Sequence, residues 1–232
     1  MTLTRLYLIR HGQSYGNAEE IMVGMATDRG LTALGREQAA RLRDRLAATG
    51  EIAAGVLIAS SLPRARETAE IIAPALGLDV ILDDDVHELR CGEGEGLSFA
   101  EFDTRYGEYI GRSATEPADP GGECWSDFRT RVSGAITRIA AEHTGQNIVL
   151  VCHGGVIEAW LVEMFGTSRS ELPAARMHTN NTSITAWERD ETRSPLTWRL
   201  HGYNDDVHLR DLGSEQRFDW SRPQSRVSAA AP

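Results

Sequence analysis

The sequence predicts an α/β fold of three layers, in which helices cover both faces of a mostly parallel central sheet and a small helical and loop insertion forms a cap. Two observations lead to this prediction. Short continuous apolar runs alternate with segments whose apolar residues have helical spacing. Such alternation is typical of parallel sheets enclosed by helices. Apolar residues make up 41% of the 232 residues, which is enough for one large core.

Six apolar runs are predicted as strands. The first four are continuous runs, of which the first two suit buried parallel strands, and the last two suit a hairpin late in the chain. The six runs span residues 6–9, 56–58, 80–82, 148–151, 184–187 and 197–200.

Helices are predicted between these strands from apolar spacing and from capping residues. Thr32 is a suitable N-cap for the first long helix, and Gly50 is a suitable stop. Ser60 and Ser61 are expected to cap a second helix that begins at Pro63. The predicted helices span about residues 32–50, 63–74 and 126–139, and a last helix carries the apolar residues of 157–165.

The pattern changes between residues 97 and 125. Four aromatic residues there have the spacing of one amphipathic helix, and a loop rich in proline and glycine follows. We interpret about residues 97–125 as a cap insertion in a single domain of residues 1–212. Residues 213–232 are polar and end in serine, alanine and proline, so a flexible C-terminal tail is expected. The four aromatic residues are Phe99, Phe102, Tyr106 and Tyr109.

The chain has a net charge of −10, and all 24 of its basic residues are arginine. An acidic chain without a basic stretch is a poor partner for nucleic acid or for an anionic membrane. The absence of lysine excludes Schiff-base chemistry and the lysine-dependent phosphate loop of nucleoside triphosphatases. Arginine, which binds phosphate through two parallel hydrogen bonds, is left as the permanent cation.

Cys91, Cys124 and Cys152 are widely spaced, so neither a disulfide framework nor a structural zinc site is predicted. The first apolar run is too short for a signal peptide or a membrane span, which predicts a cytoplasmic protein. No cofactor and no metal are expected. The oligomeric state is left open, with a homodimer as one alternative.

Chemically active residues follow successive predicted strands. Arg10 and His11 follow the first strand, Arg64 lies one turn beyond the second, Glu88 follows the third and His153 follows the fourth. Ligands of open α/β sheets bind at the carboxyl ends of parallel strands, so these residues are expected to meet. Two arginines and a helix N-terminus form an anion clamp, and phosphate is its usual occupant.

A neutral imidazole beside such a clamp can attack phosphorus and form a phosphohistidine. Neighbouring arginines favour the neutral form of His11, and Glu88 is expected to protonate the leaving group. Taken one at a time, His153 is more simply a core histidine, and Arg64 and Glu88 are more simply surface residues. Their joint placement after successive strands favours the functional interpretation.

Five sequence blocks, taken in order, resemble the histidine phosphatase superfamily, whose fold is that of phosphoglycerate mutase. The resemblance implies that His11 is the nucleophile and that Glu88 is the acid and later the base. It implies that Arg10, Arg64 and His153 hold the phosphoryl group, and that no metal takes part. Additional substrate contacts are implied for Gln13, Asn17 and Gly154. The blocks are residues 8–17, 30–39, 60–69, 88–96 and 151–156.

Departures from the mutase pattern favour the phosphatase branch. Gly16 stands where mutases usually have tryptophan, and Gly155 stands where they usually have asparagine. Residues 97–125 contain six acidic residues against two arginines, a net charge of −4 that repels a polyanionic bisphosphate. Cys124 replaces the serine of the family's Gly-Glu-Ser segment.

The sequence therefore predicts a metal-independent phosphomonoesterase of the histidine acid phosphatase type, which acts on a small phosphorylated metabolite through a phosphohistidine. Two alternatives remain open. One is a phosphoglycerate mutase-type transferase, and the other is a catalytically silent binding module on the same fold.

Overall fold

A computed structural model of the chain describes residues 2–107, 113–195 and 197–212. Within these ranges six strands form one sheet, and each of the six predicted strands is confirmed. The strands are β1 (Leu3–Arg10), β2 (Val56–Ala59), β3 (Val80–Leu82), β4 (Asn147–Cys152), β5 (Ile184–Asp190) and β6 (Trp198–Asp205).

The strands lie in the order β3-β2-β4-β1-β5-β6. The first four pair in parallel, because helices connect them and return the chain to the same end of the sheet. The last two form an antiparallel hairpin that pairs with β1. The predicted mostly parallel sheet is therefore confirmed, with two antiparallel pairings at one edge.

Six α-helices are described. The predicted long helices are confirmed, whereas the shortest helix was not predicted, because its five residues are too few to show helical spacing. No helix in the described ranges is long and apolar enough to span a membrane. The helices are α1 (Tyr15–Glu19), α2 (Ala33–Thr49), α3 (Pro63–Leu76), α4 (Phe99–Tyr106), α5 (Trp125–Glu142) and α6 (Gly154–Met164).

Two capping predictions have opposite outcomes. Thr32 caps α2 as predicted, since its hydroxyl accepts a hydrogen bond from the Gly35 N–H at 3.0 Å. The prediction for α3 is wrong. Leu62 occupies the N-cap position and makes no side-chain cap, while Ser60 and Ser61 bond histidines instead. Pro63 lacks an N–H, so the first turn of α3 has one donor fewer to satisfy.

The two faces of the sheet are covered by different helix pairs, which confirms the three layers. Successive residues of a strand face opposite sides, so Leu8 and Ile9 enter different apolar clusters. One cluster joins α2 and α3 to the sheet and contains Leu42, Leu46, Ala69, Ile72, Ile9, Leu57 and Val149. The other joins α5 and α6 to the sheet and contains Phe128, Val132, Ile136, Ile157, Leu6, Leu8 and Leu150.

The carboxyl ends of the four parallel strands lie at one edge of the sheet. Arg10 is in register with Cys152, and Ala59 is in register with both Val151 and Leu82. The residues that follow these strands therefore emerge side by side. This alignment brings together segments that are far apart along the chain, such as those that contain Arg10 and Cys152.

Part of the predicted cap is described. Helix α4 has Phe102 completely buried, and Phe102 packs on Gly94, where a Cβ atom would overlap its ring. Residues 108–112, which include Tyr109, lie outside the described residues, and so does the predicted tail of 213–232. The division into a single domain, a cap and a tail remains a prediction.

Helix α5 begins at an unusual N-cap. Cys124 occupies this position, and its sulfur accepts a hydrogen bond from the Asp127 N–H at 3.4 Å. Thiol sulfur is a weak acceptor, whereas serine is among the best N-cap residues. Cys124 therefore caps α5 more weakly than a serine would at the same position.

We expect Cys124→Ser to raise the free energy of unfolding by about 0.5–1 kcal/mol, because a hydroxyl oxygen caps the helix better than sulfur. Urea denaturation of the purified protein measures this change. Cys91→Ser is the matched control, since Cys91 lies outside the helices and caps none of them. Equal effects of the two substitutions would contradict the capping explanation.

Candidate active site

His11 follows β1 directly and is buried, with 3% of its surface exposed. Its backbone is held from two sides. The His11 N–H donates to the Cys152 carbonyl at 3.0 Å, and the Asn181 side chain donates to the His11 carbonyl at 2.9 Å. The ring is therefore carried on a rigid backbone at the carboxyl edge of the sheet.

The hydrogen bonds of His11 define its tautomer. Its Nδ1 lies 2.7 Å from the Gly12 carbonyl oxygen. A carbonyl only accepts, so Nδ1 carries the proton and Nε2 of the neutral ring has a free lone pair. The Nε2 atom accepts a hydrogen bond from Arg64 Nε at 3.2 Å. Burial and the charges of Arg64 and Arg10 hold the pKa of His11 well below its usual value.

Arg64 lies in the first turn of α3 and is oriented by a buried carboxylate. Its Nη1 forms an ion pair with Asp28 Oδ2 at 2.7 Å, and the Asp28 side chain is 1% exposed. The same oxygen accepts the Arg64 backbone N–H at 3.3 Å. Because Asp28 holds one edge of the guanidinium, the Nε edge is directed at His11.

Arg10, the last residue of β1, is also fixed within the site. Its Nη1 donates to the Thr179 carbonyl, while its buried Nε has no partner among the described residues. Burial lowers the pKa of Arg10 to about 10, against the opposing effect of Glu88 and with a further contribution from Arg64. Arg10 remains a cation at neutral pH, and its unpaired donor is suited to an anion.

His153 contacts the His11 ring from the end of β4, with the ring centroids 5.2 Å apart. It is completely buried, and its Nε2 lies 2.8 Å from the Ser60 hydroxyl. Its Nδ1 has no hydrogen-bond partner in the described part of the chain. Burial and the nearby Arg64 hold the pKa of His153 well below its usual value, so this ring is also neutral.

Glu88 reaches the site from the irregular segment that follows β3. Its carboxylate accepts the Leu89 N–H at 2.9 Å and the Gly155 N–H, in the first turn of α6, at 3.0 Å. A Cβ atom at position 155 would overlap Glu88 Oε1. Glycine is therefore required at this position for the carboxylate to sit where it does.

These side chains share a pocket of about 570 Å3. Arg10, His11, Asn17, Arg64 and Glu88 line it together. The rest of the wall is largely apolar, which suits the organic part of a small ligand. Apolar and aromatic lining residues are Ile21, Met22, Val23, Leu89, Phe99, Phe102, Trp125 and Phe128.

Three predicted site residues are not among those that line the pocket. His153 contacts the His11 ring instead. Gly154 packs on Arg10, since a Cβ atom there would lie 3.6 Å from Arg10 Nε. The Gln13 side chain accepts the Thr32 hydroxyl at 2.7 Å, at the start of α2. Substrate contacts of these residues remain predictions.

Asn17 lines the pocket and also belongs to the capping box of α1. Its side-chain oxygen accepts the Ser14 N–H at 3.2 Å, and the Asn181 amide lies 3.4 Å from the same oxygen. Asn181 thus connects the His11 backbone to Asn17. The predicted place of Asn17 beside the nucleophile agrees with this geometry.

Sequence reasoning missed Asp28, Ser60 as a partner of His153, and Asn181. Asp28 lies in a loop without periodicity and is one of 34 acidic residues, so nothing in the sequence distinguishes it. Asn181 precedes a strand at its amino end, which is the wrong end for a ligand site of a parallel sheet. Because β5 is antiparallel to β1, its amino end lies at the same edge as His11.

The chain belongs to the histidine phosphatase superfamily, because the model of its branch 1 matches residues 6–206. Phosphoglycerate mutase-like protein 4 of Arabidopsis thaliana is 31% identical over 90% of this chain and 88% of its own. Bacillus stearothermophilus YhfR superposes with a TM-score of 0.76, at 29% identity, over 89% of this chain and 99% of its own.

A mycobacterial glucosyl-3-phosphoglycerate phosphatase, solved with VO3, superposes with a TM-score of 0.73 at 28% identity. The match covers 86% of this chain and 98% of the mycobacterial chain. The neighbours of this chain therefore include both phosphatases and mutase-like proteins. No group of three or more histidine, cysteine or acidic side chains suited to a metal ion occurs within residues 2–107, 113–195 and 197–212.

We expect the free energy of unfolding to fall as the pH drops through about 6.5. His11, His153 and His208 stay neutral when folded but take up protons when unfolded. Burial, aided by Arg45, lowers the pKa of His208 to about 4. Since the unfolded chain binds more protons, each histidine contributes a loss of about 1 kcal/mol between about pH 7.5 and pH 5.5.

Urea denaturation at the two pH values measures this loss. His208→Gln is the informative variant, because His208 does not line the pocket. Its pH-dependent loss should be smaller than that of the unaltered protein by about 1 kcal/mol. An unchanged pH dependence of the unfolding free energy in this variant would contradict the conclusion that His208 stays neutral in the folded protein.

Proposed function

We propose that the protein is a metal-independent phosphomonoesterase that transfers the phosphoryl group of a small phosphorylated metabolite to His11 and then to water. One observation carries this proposal. The His11 ring is neutral and presents its Nε2 lone pair in the same pocket as two arginines and a carboxylate. Membership of the histidine phosphatase superfamily supports the proposal.

Binding of the phosphoryl group is assigned to Arg10 and Arg64. Arg10 Nε is buried without a partner, and Arg64 Nε faces His11 Nε2. Phosphoryl oxygens that take over the Arg64 Nε donor release the His11 lone pair for attack at phosphorus. Two fixed cations beside His11 neutralise the charge that accumulates in the transition state.

His153 is assigned a supporting role at the phosphoryl oxygens. When the Ser60 hydroxyl donates to His153 Nε2, the proton of the neutral ring lies on Nδ1. The unpartnered Nδ1 is then a hydrogen-bond donor beside His11. This role requires no change in the charge of either ring.

Two displacements complete the reaction. In the first, His11 Nε2 forms a bond to phosphorus, the ester P–O bond breaks, and the leaving oxygen takes the proton of Glu88. In the second, water attacks phosphorus and gives a proton to the Glu88 carboxylate, while the P–N bond breaks and phosphate leaves. Splitting the reaction in this way replaces one difficult step by two easier ones.

Hydrolysis is favoured over mutase chemistry by the charges that line the pocket. Beyond Arg10 and Arg64, the cation that lines the pocket among the described residues is Arg176, whose Nε and Nη2 donate to the buried carboxylate of Glu158. A second phosphate of a bisphosphate primer therefore meets a guanidinium that already has a counter-ion. Asp103 of the cap also lines the pocket and repels such a group.

The net charge of the cap overstates this repulsion. Glu123 is paired with Arg131, which offsets its charge, whereas Asp119 accepts the N–H groups of Gly92 and Gly94 and keeps its negative charge. Mutase chemistry and a silent binding module therefore remain the alternatives to be tested. A cytoplasmic location and the absence of nucleic-acid and membrane partners are parts of the same proposal, whereas a homodimer is one alternative for the oligomeric state.

A phosphohistidine should accumulate when the protein is mixed with a radiolabelled phosphomonoester and quenched in alkali. The bound label should be stable in alkali, labile in acid and located on the peptide that contains His11, because a P–N bond has formed. The reaction is run in excess chelator, which should leave labelling intact. His11→Ala is the control and should carry no label. Label on another residue, or loss of label with chelator, would contradict the mechanism.

Glu88→Gln should slow the hydrolysis of alkyl phosphates by about 100-fold and that of p-nitrophenyl phosphate by only a few-fold. The amide cannot supply the proton that an alkoxide needs, whereas p-nitrophenolate leaves without one. Steady-state kcat for the two substrates measures the difference. An equal loss for both would exclude Glu88 as the acid, and transfer to 3-phosphoglycerate instead of water would favour the mutase.

A further inference from the structure

The segment that carries Glu88 has no regular structure of its own. Residues 87–91 form neither strand nor helix, so no ladder of hydrogen bonds fixes the Glu88 backbone. The carboxylate is bound at its tip by the Gly155 N–H. A proton donor must be placed within hydrogen-bond reach of the leaving oxygen, so another part of the structure has to hold this backbone.

Arg131 of α5 makes that contact. Its Nη1 donates to the carbonyls of Asp85 at 2.9 Å and His87 at 3.1 Å. Its Nη2 donates to the Glu88 carbonyl at 3.3 Å. A single planar group thus holds three carbonyls within four consecutive residues, which include the proposed acid.

Glu123 holds the other edge of the same guanidinium. Its carboxylate accepts Arg131 Nε at 2.8 Å and Nη2 at 2.6 Å, and both side chains are 11% exposed. Glu123 also binds the segment directly. Its side chain accepts the Arg90 N–H at 3.3 Å, and its own N–H donates to the Arg90 carbonyl at 2.9 Å.

All five N–H donors of Arg131 are used in this way. Two bind Glu123 and three bind the backbone around Glu88. Lysine offers three donors from one point and has no planar fork, so it cannot reproduce the pattern. An ion pair at the surface does not need a planar group with five bound donors, whereas holding the backbone of residues 85–88 requires one.

We propose that Arg131 is a positioning residue for the proton donor, one that sets the place of Glu88 through the backbone of residues 85–88. This inference rests on the proposed function, because Arg131 can position a proton donor only if Glu88 is the acid. Gly155 holds the carboxylate, and Arg131 with Glu123 holds the chain from which it projects. Loss of the contacts of Arg131 therefore disturbs proton donation but leaves Arg10 and Arg64 in place to bind the phosphoryl group.

Arg131→Lys should lower kcat for an alkyl phosphate about 10-fold more than kcat for p-nitrophenyl phosphate. The KM values should stay within about twofold, because phosphoryl binding does not involve Arg131. A merely structural role would reduce the folded fraction and would lower both kcat values equally. The ratio of the two kcat values therefore separates positioning from stability.

Arg138→Lys is the matched control. Arg138 lies on the same helix and pairs with Asp83 at 2.7 Å and Asp85 at 3.4 Å, and so contacts the same loop. It makes no contact with the carbonyls of 87 and 88 among its described hydrogen bonds. Its substitution should leave the ratio of kcat values unchanged. An equal change in both variants would overturn the proposal.

Glu88→Gln, alone and combined with Arg131→Lys, separates failure of this inference from failure of the proposed function. If Glu88→Gln alone affects both substrates equally, the acid role itself is wrong. If Glu88→Gln is selective for the alkyl phosphate, Arg131→Lys should add no further selectivity to it. Added selectivity, or an equal loss on both substrates from Arg131→Lys alone, would overturn the positioning role.

Glu123→Gln keeps the test decisive if Arg131→Lys does not fold. It preserves the volume of the side chain but removes the charge that anchors the guanidinium. A selective loss on the alkyl phosphate, smaller than that expected for Arg131→Lys, supports the proposal. The absence of selectivity in folded Glu123→Gln protein would count against it.

Discussion

The hydrogen bond from His11 Nδ1 to the Gly12 carbonyl is the interaction on which the rest of the site depends. It determines which ring nitrogen has the free lone pair. The ring must also stay neutral, and burial next to two fixed cations secures this condition. The strands hold the His11 backbone in place, and the arginines and the burial keep its ring neutral. Together they keep the Nε2 lone pair available.

Burial of the two arginine cations that lower the pKa of His11 costs folding free energy, because the charges lose their hydration. The surrounding residues offset part of this cost. The Arg64 guanidinium is stabilised by Asp28, which is itself buried. Among the described residues, Arg10 donates to one backbone carbonyl and leaves its buried Nε without a partner, so it is the less satisfied of the two. An incoming phosphoryl group supplies the missing partner, and binding therefore relieves a cost that folding has already imposed.

The fold and the centre of the site could be predicted because both follow from local patterns and from strand order. Arg10, Arg64 and Glu88 meet because Arg10 ends one parallel strand and the other two follow neighbouring strands. The register of those strands is set by apolar runs that the sequence displays. Asp28 and Arg131 could not be predicted in their roles, because their partners lie far away along the chain. The capping prediction for Ser60 failed for the same reason, since a distant histidine competes for its hydroxyl.

The close approach of Gly155 to Glu88 couples two positions that lie 67 residues apart along the chain. A Cβ atom at position 155 would overlap Oε1 of Glu88, so a substitution there displaces the carboxylate from its bond to the Gly155 N–H. Because the overlapping atom is the tip of a flexible side chain, the carboxylate can turn away without movement of the backbone. The side chain at position 155 therefore acts on the orientation of the Glu88 carboxylate and not on the path of the chain that carries it.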